Sequence, residues 1–89
     1  MKLSAMKTGR ITERKLIFDQ PGLEAFAVQL KKVRTQRGFT QNQLAFESGI
    51  SISQIARIET ARINPTLSTV FVLARTMGVT LSELFDFQI

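Results

Sequence analysis

Apolar residues first recur at helical spacing at Leu23, Phe26, Ala27, Leu30 and Val33, in steps of three and four that place them on one stripe. This pattern predicts a helix over residues 21–36. Pro21 suits its first turn, where a missing N–H leaves no hydrogen bond unmade, and Gly38 stands where the helix should stop. Lys31 and Lys32 fall off the stripe. Arg34 continues it, an unusual place for a cation. Phe39 is expected to pack back on the core as the chain turns.

The next stretch, TQNQLAFESGISISQIARIET over residues 40–60, reads as two short helices joined by a tight turn. Thr40 with Gln43, and Ser51 with Gln54, have the spacing of capping boxes, in which hydroxyl and amide side chains satisfy the free N–H groups at a helix start. Gly49 lies between them, where positive φ costs no Cβ clash. Helices are predicted over residues 41–48 and 52–60. On two helices crossing after such a turn, Leu44, Ile50, Ile55 and Ile58 all point inward, and Ala45 is small enough to let the helices approach. Ile52, Ser53, Ala56 and Arg57 are left outward on the second helix.

After a loop, Leu67, Val70, Phe71, Ala74 and Met77 form a further stripe that stops at Gly78, with Thr66 as its cap. Thr80 with Glu83 gives a third capping box, opening a last short helix to about residue 84. The expectation is an all-α, five-helix domain over residues 21–85, with an N-terminal arm over 1–20 and a short tail over 86–89.

Both ends carry strand-like patterns. Leu16-Ile17-Phe18 is a short apolar run bounded by Asp19 and Pro21. It reads either as the end of a flexible basic tail or as an extended segment pinned on the core or on a partner subunit. Phe85-Asp86-Phe87-Gln88-Ile89 alternates apolar and polar. It reads as a small strand pairing with the arm, within one subunit or across a dimer, or as a frayed end with its phenyl rings on the core. Phe46 lies off the inward side of its helix, and cover by residues 16–18 would account for both oddities.

Composition narrows the chemistry. The 89 residues, 44% of them hydrophobic, suffice for one packed helical core, but a core this small is marginal alone and dimer formation is a common remedy. The chain has neither cysteine nor histidine, so it lacks disulfides and the commonest zinc ligands and catalytic bases. The seven carboxylates form no recognisable cluster, so no metal site, cofactor or enzymatic activity is expected. No apolar run approaches membrane-spanning length and no secretory signal is visible, so a soluble cytoplasmic protein is expected. The net charge of +5 suits a polyanion. It is unevenly placed: residues 31–62 hold six cations against two carboxylates, whereas residues 63–89 hold one against two.

Taken together, Thr40-Gln41, Leu44-Ala45, Gly49-Ile50-Ser51, Ile55, Ile58-Glu59, Asn64-Pro65, Gly78-Val79-Thr80-Leu81 and Glu83-Leu84-Phe85 resemble, in order and spacing, the helix-turn-helix of the Xre family. This is the small DNA-binding domain of the Cro and phage-repressor type, and the resemblance runs over residues 23–85. It departs from the family pattern at Phe46, where a polar residue is usual, and at Ala61, where glycine is frequent. The resemblance implies that Arg34 pairs with Glu59 as a brace between the first and third helices. It also implies that Gln41, Ser51, Gln54, Thr60 and Arg62 meet DNA phosphates. Gln54 could instead close its capping box.

The helix over residues 52–60 is then the reader. Ser53 and Arg57, four apart, share a face. Arg57 has the fork geometry for N7 and O6 of guanine, or for a phosphate. Ile52 offers a methyl surface for thymine, and Ser53 specifies weakly. So thin a direct code leaves part of the specificity to DNA shape. Two function classes follow. One is a homodimeric repressor on a palindromic double-stranded operator. The other is an antitoxin that also binds a toxin protein and represses its own operon, with the apolar arm and tail as partner surface. RNA binding ranks below both, because the phenylalanines fall mostly at core positions.

Overall fold

The computed structural model describes residues 16–89 of the chain. Among these residues five helices follow in order: α1 (Gln20–Gln36), α2 (Gln41–Ser48), α3 (Ile52–Glu59), α4 (Leu67–Met77) and α5 (Leu81–Leu84). Each begins at a side-chain oxygen that accepts an otherwise unbonded backbone N–H. The Asp19 carboxylate does this for α1, accepting from the Gly22 N–H at 3.2 Å. The boxes at Thr40/Gln43 and Thr80/Glu83 are reciprocal. At Ser51 only half of the box forms. Its hydroxyl accepts from the Gln54 N–H at 3.1 Å, but the Gln54 amide does not return the bond. Gly49 (φ 78°) and Gly78 (φ 71°) close α2 and α4 in the left-handed region that a side chain disfavours.

α3 packs against α1 and α2, α4 against α2 and α5, and α5 closes against α1. One core results. Leu30, Leu44, Ile55, Ile58, Leu73 and Leu84, drawn from all five helices, are its fully buried side chains. Burying each stabilises the fold by roughly 1.5–3 kcal/mol relative to exposure.

The stripe expected on α4 is corrected. Val70, Ala74 and Met77 are buried, but Leu73 joins them in place of Leu67 and Phe71, which are 67% and 40% exposed. Five of the eleven α4 residues, Val70 to Ala74, are apolar in succession, so spacing alone could not orient the helix.

The strand readings of both ends are also corrected, since the described residues include no strand. The tail instead lays its rings on α1. Phe85 stacks on Phe26 at 5.3 Å between centroids, and Phe87 lies 6.3 Å from Phe26. At the other end Leu16 and Ile17 are 96% and 85% exposed, so these two side chains are not pinned on their own core, and Phe18 is 46% exposed. Nor does the run cover Phe46, which is 90% exposed. A three-residue run has too few backbone bonds to hold itself as a strand. The basic part of the arm, with Lys2, Lys7, Arg10, Arg14 and Lys15, lies outside the described residues.

Candidate nucleic-acid interface

α3 is anchored from behind. Ile55 and Ile58 bury completely on its inner side, against α1 and α2. Its last residue, Glu59, is tied to α1 by two parallel bonds. Arg34 Nε donates to Glu59 Oε2 at 2.6 Å and Arg34 Nη2 to Glu59 Oε1 at 2.9 Å. The remaining guanidinium edge, Nη1, donates to the Phe39 carbonyl oxygen at 2.8 Å. The two side chains keep only 8% and 3% of their surface. A planar fork meeting a carboxylate fixes angle as well as distance. The pair therefore sets the pose of α3 on α1, which explains a cation on an apolar stripe.

The structure adds a third member. Gln41 Nε2 donates to Glu59 Oε1 at 2.9 Å, so the first residue of α2 is tied to the last residue of α3. The sequence carries no local signal for this contact, because the partners stand 18 residues apart. The Gln41 side chain is thus part of the brace, half-buried, and its backbone N–H stands at the open start of α2. There Thr40 Oγ1 takes the N–H of Gln43, leaving the first N–H groups of α2 directed outward.

The opposite face of α3 is open. Ser53 and Arg57 are exposed, Ala56 is half-buried between them, and Ile52 is 42% exposed at the helix start. Gln54 is half-buried, and its amide has no hydrogen-bond partner among the described residues. Ser51 is exposed. Its oxygen accepts the cap bond, while its O–H remains a donor. Thr60 is exposed, but its hydroxyl donates back to the Ala56 carbonyl at 2.9 Å. Arg62 is exposed, and its backbone N–H donates to the Arg57 carbonyl at 2.8 Å, holding the exit loop against the end of α3.

Ala61 turns that loop with φ 56°, in the left-handed region, and its methyl is 5% exposed. This alanine adopts the backbone that glycine would take most easily.

The electrostatics separate the two sides of α3. Among the described residues two ion pairs form, Arg34–Glu59 and Arg37–Glu83. Arg57 and Arg62 pair with no carboxylate there, so their charge faces solvent. Arg37 was missed as a structural residue. It donates to the Gly78 carbonyl at 3.2 Å and to Glu83 at 3.1 Å, pinning α5 to the end of α1. No group of three acidic, histidine or cysteine side chains is disposed for a metal among the described residues. No helix there is long and apolar enough to cross a membrane. What the open face offers is a forked cation, a hydroxyl and a methyl surface on a rod. Such a rod, about 10–12 Å across, matches a duplex major groove about 12 Å wide.

Comparison with known proteins agrees. The helix-turn-helix family model HTH_3 matches residues 30–84. The chain is 37% identical over 58 residues to the HTH-type transcriptional regulator PuuR of Escherichia coli K12, covering 65% of this chain and 31% of that protein. It is 39% identical over 56 residues to the immunity repressor of Bacillus phage phi105, covering 63% and 39%. The chain thus spans about a third of the length of these curated relatives.

Among solved structures, the restriction-modification controller protein C.AhdI of Aeromonas hydrophila superposes with a TM-score of 0.70 at 32% identity, over 73% of this chain and 98% of that one. The controller protein C.Esp1396I, solved as a tetramer with its natural 35-base-pair operator, superposes with a TM-score of 0.70 at 25% identity, over 76% and 90%. By its helix order, its braced third helix and this family match, the chain belongs to the helix-turn-helix family of the Xre/Cro type.

Proposed function

We propose that this protein is a sequence-specific DNA-binding transcriptional regulator that acts as a homodimeric repressor on a two-fold symmetric operator. The observation that carries the reading is the open face of α3, where Ser53 and Arg57 are exposed while Ile55, Ile58 and the Arg34–Glu59 pair hold the helix from behind. In this reading α3 lies in the major groove. Arg57 donates to N7 and O6 of a guanine, Ser53 donates to or accepts from a neighbouring base, and Ile52 meets a thymine methyl. Gln41, Ser51, Gln54 and Arg62 flank the groove and hold phosphates through N–H and O–H donors and one cation, and Thr60 joins them when its hydroxyl turns from the Ala56 carbonyl to a phosphate. A relative named as a phage immunity repressor and a neighbour solved in complex with its operator support a DNA-binding, repressing role. Occupying a promoter suffices to repress it, so no catalytic group is required.

Selection of bound sequences from random duplex DNA, run in parallel with Arg57→Ala, tests this. The expected result is a symmetric site with relaxed preference at one position per half-site in the variant, where each good base contact accounts for roughly 1–3 kcal/mol. Equal weakening on every sequence would reduce Arg57 to a phosphate clamp. An unenriched pool at low salt would reject the reading.

A further inference from the structure

The open face of α3 does not account for an apolar surface built by other elements of the molecule. A groove of about 300 Å³ runs between α1, the start of α4 and the C-terminal tail, with Leu23, Phe26, Leu67, Val70, Phe85 and Phe87 among its lining. That is about twice the roughly 150 Å³ apolar cavity known to take up benzene. No charged side chain lines it. Two of the residues next to its lining in the chain are acidic and exposed: Glu24, beside Leu23, and Asp86, between Phe85 and Phe87. At the rim, Asn64 Nδ2 donates to the Ile17 carbonyl oxygen at 3.5 Å. The run Leu16-Ile17-Phe18 therefore passes the mouth of its own groove, yet Leu16 and Ile17 are 96% and 85% exposed.

The run has no slack to turn in. Asp19, the single residue between Phe18 and α1, is the helix cap and is held by its bond to Gly22. Arg14 and Lys15 immediately precede the run. In sequence, then, two cations precede three apolar residues, matching in charge an apolar groove whose residues Leu23 and Phe85 have the acidic chain neighbours Glu24 and Asp86.

We infer that the groove is the seat for the Leu16–Phe18 run of a second copy of this chain, so that two copies exchange arms. Run and groove lie side by side on each copy, so a two-fold axis through the rim satisfies both contacts at once and the assembly closes as a dimer. Exchange removes from water the exposed aliphatic side chains of the arm together with those of Leu67 and Ile89, which are 67% and 83% exposed. The inference rests on the homodimer of the reading above and gives that dimer its contact.

The test uses the full chain without DNA. Since the protein has no cysteine, Leu16→Cys with Leu67→Cys introduces a reporter pair into a clean background. Oxidation is expected to give a covalent dimer, which neither single variant gives. Ile17→Asp, at an exposed position where folding should be unaffected, is expected to weaken the dimer by more than about tenfold in sedimentation equilibrium. Leu81→Asp, on a separate surface that Leu81 shares with Phe71, Ala74, Arg75 and Val79, should leave it intact.

An intrachain disulfide would show that the groove holds its own arm, and would overturn the exchange. A dimer indifferent to Ile17→Asp but broken by Leu81→Asp would also overturn it while keeping the homodimer. Groove occupancy by a small apolar molecule, or by an unrelated protein as a toxin-neutralising role requires, would overturn it if the copies then stay apart. A chain monomeric at all concentrations would reject both exchange and homodimer, and selection on DNA would then judge the DNA reading separately.

Discussion

Glu59 accepts three donors, two from Arg34 and one from Gln41, on a side chain with 3% of its surface left. Glu59→Gln keeps the shape but offers one acceptor oxygen and turns an amide N–H₂ toward donors. It also leaves the guanidinium buried without its counter-charge. Removing one partner of a buried pair costs about 3–5 kcal/mol. A loss near the lower end is expected here, because Phe39 still accepts from Arg34. In a domain of this size that lowers the melting temperature by more than about 10 °C. An unchanged melting curve would remove the brace from the account.

Ala61 makes a second case. Its positive φ is tolerable for a methyl but not for a β-branched side chain. Ala61→Val should destabilise by more than about 2 kcal/mol through strain and crowding at a buried site. Ala61→Gly should stay within about 1 kcal/mol of neutral, since relief of φ offsets the lost methyl burial and the added chain entropy. Chemical denaturation of both variants checks the pair. At this scale the sequence alone marked Arg34 as anomalous because it broke a stripe. Gln41 was invisible as a brace residue because nothing in a helix start reveals which distant carboxylate will lie above it.

At the scale of elements, helix starts were legible because capping is local chemistry within four residues. Thr40, Ser51, Thr66 and Thr80 all cap as their spacing predicts. The face of α4 was not legible, because a run of five apolar residues fits several orientations and the choice belongs to the neighbours it packs on. α5, only four residues long, depends on what ties it down.

Glu83 is central there. The Thr80 N–H donating to its carboxylate, with the Arg37 charge and the side-chain bonds beside it, holds its pKa below the ordinary value of 4.5 against an opposing effect of partial desolvation. A lowered folded pKa means that the associated stability is fully present above the ordinary value and is lost as pH falls through the folded one. Glu83→Gln should therefore lower the melting temperature at neutral pH. The gap to the wild type should close as both are acidified below the carboxylate range. A gap that stays constant with pH would assign the loss to geometry and not to charge.

At the scale of the whole molecule, Arg57 and Arg62 are exposed beside α3, whereas the exposed Glu24 and Asp86 are chain neighbours of the groove residues Leu23 and Phe85. If Arg62 holds a phosphate in each half of a dimer, Arg62→Ala should flatten the dependence of log affinity on log salt by about two. The ranking of operator sequences should stay unchanged. Titrations by fluorescence anisotropy over a salt series measure both, and an altered ranking would make Arg62 a base reader.

The chain by itself determined the helices, their caps, the turn at Gly49 and the outward set of Ile52, Ser53 and Arg57, because period and capping act over a few residues and repeat in the letters. Only the tertiary structure decided three things: that Gln41 joins Arg34 and Glu59, that Leu73 and not Phe71 enters the core, and that Leu16 and Ile17 stand in water beside a groove. Each depends on which surfaces meet across tens of residues of chain, and helix packing sets that meeting by summing many weak contacts that no single spacing records.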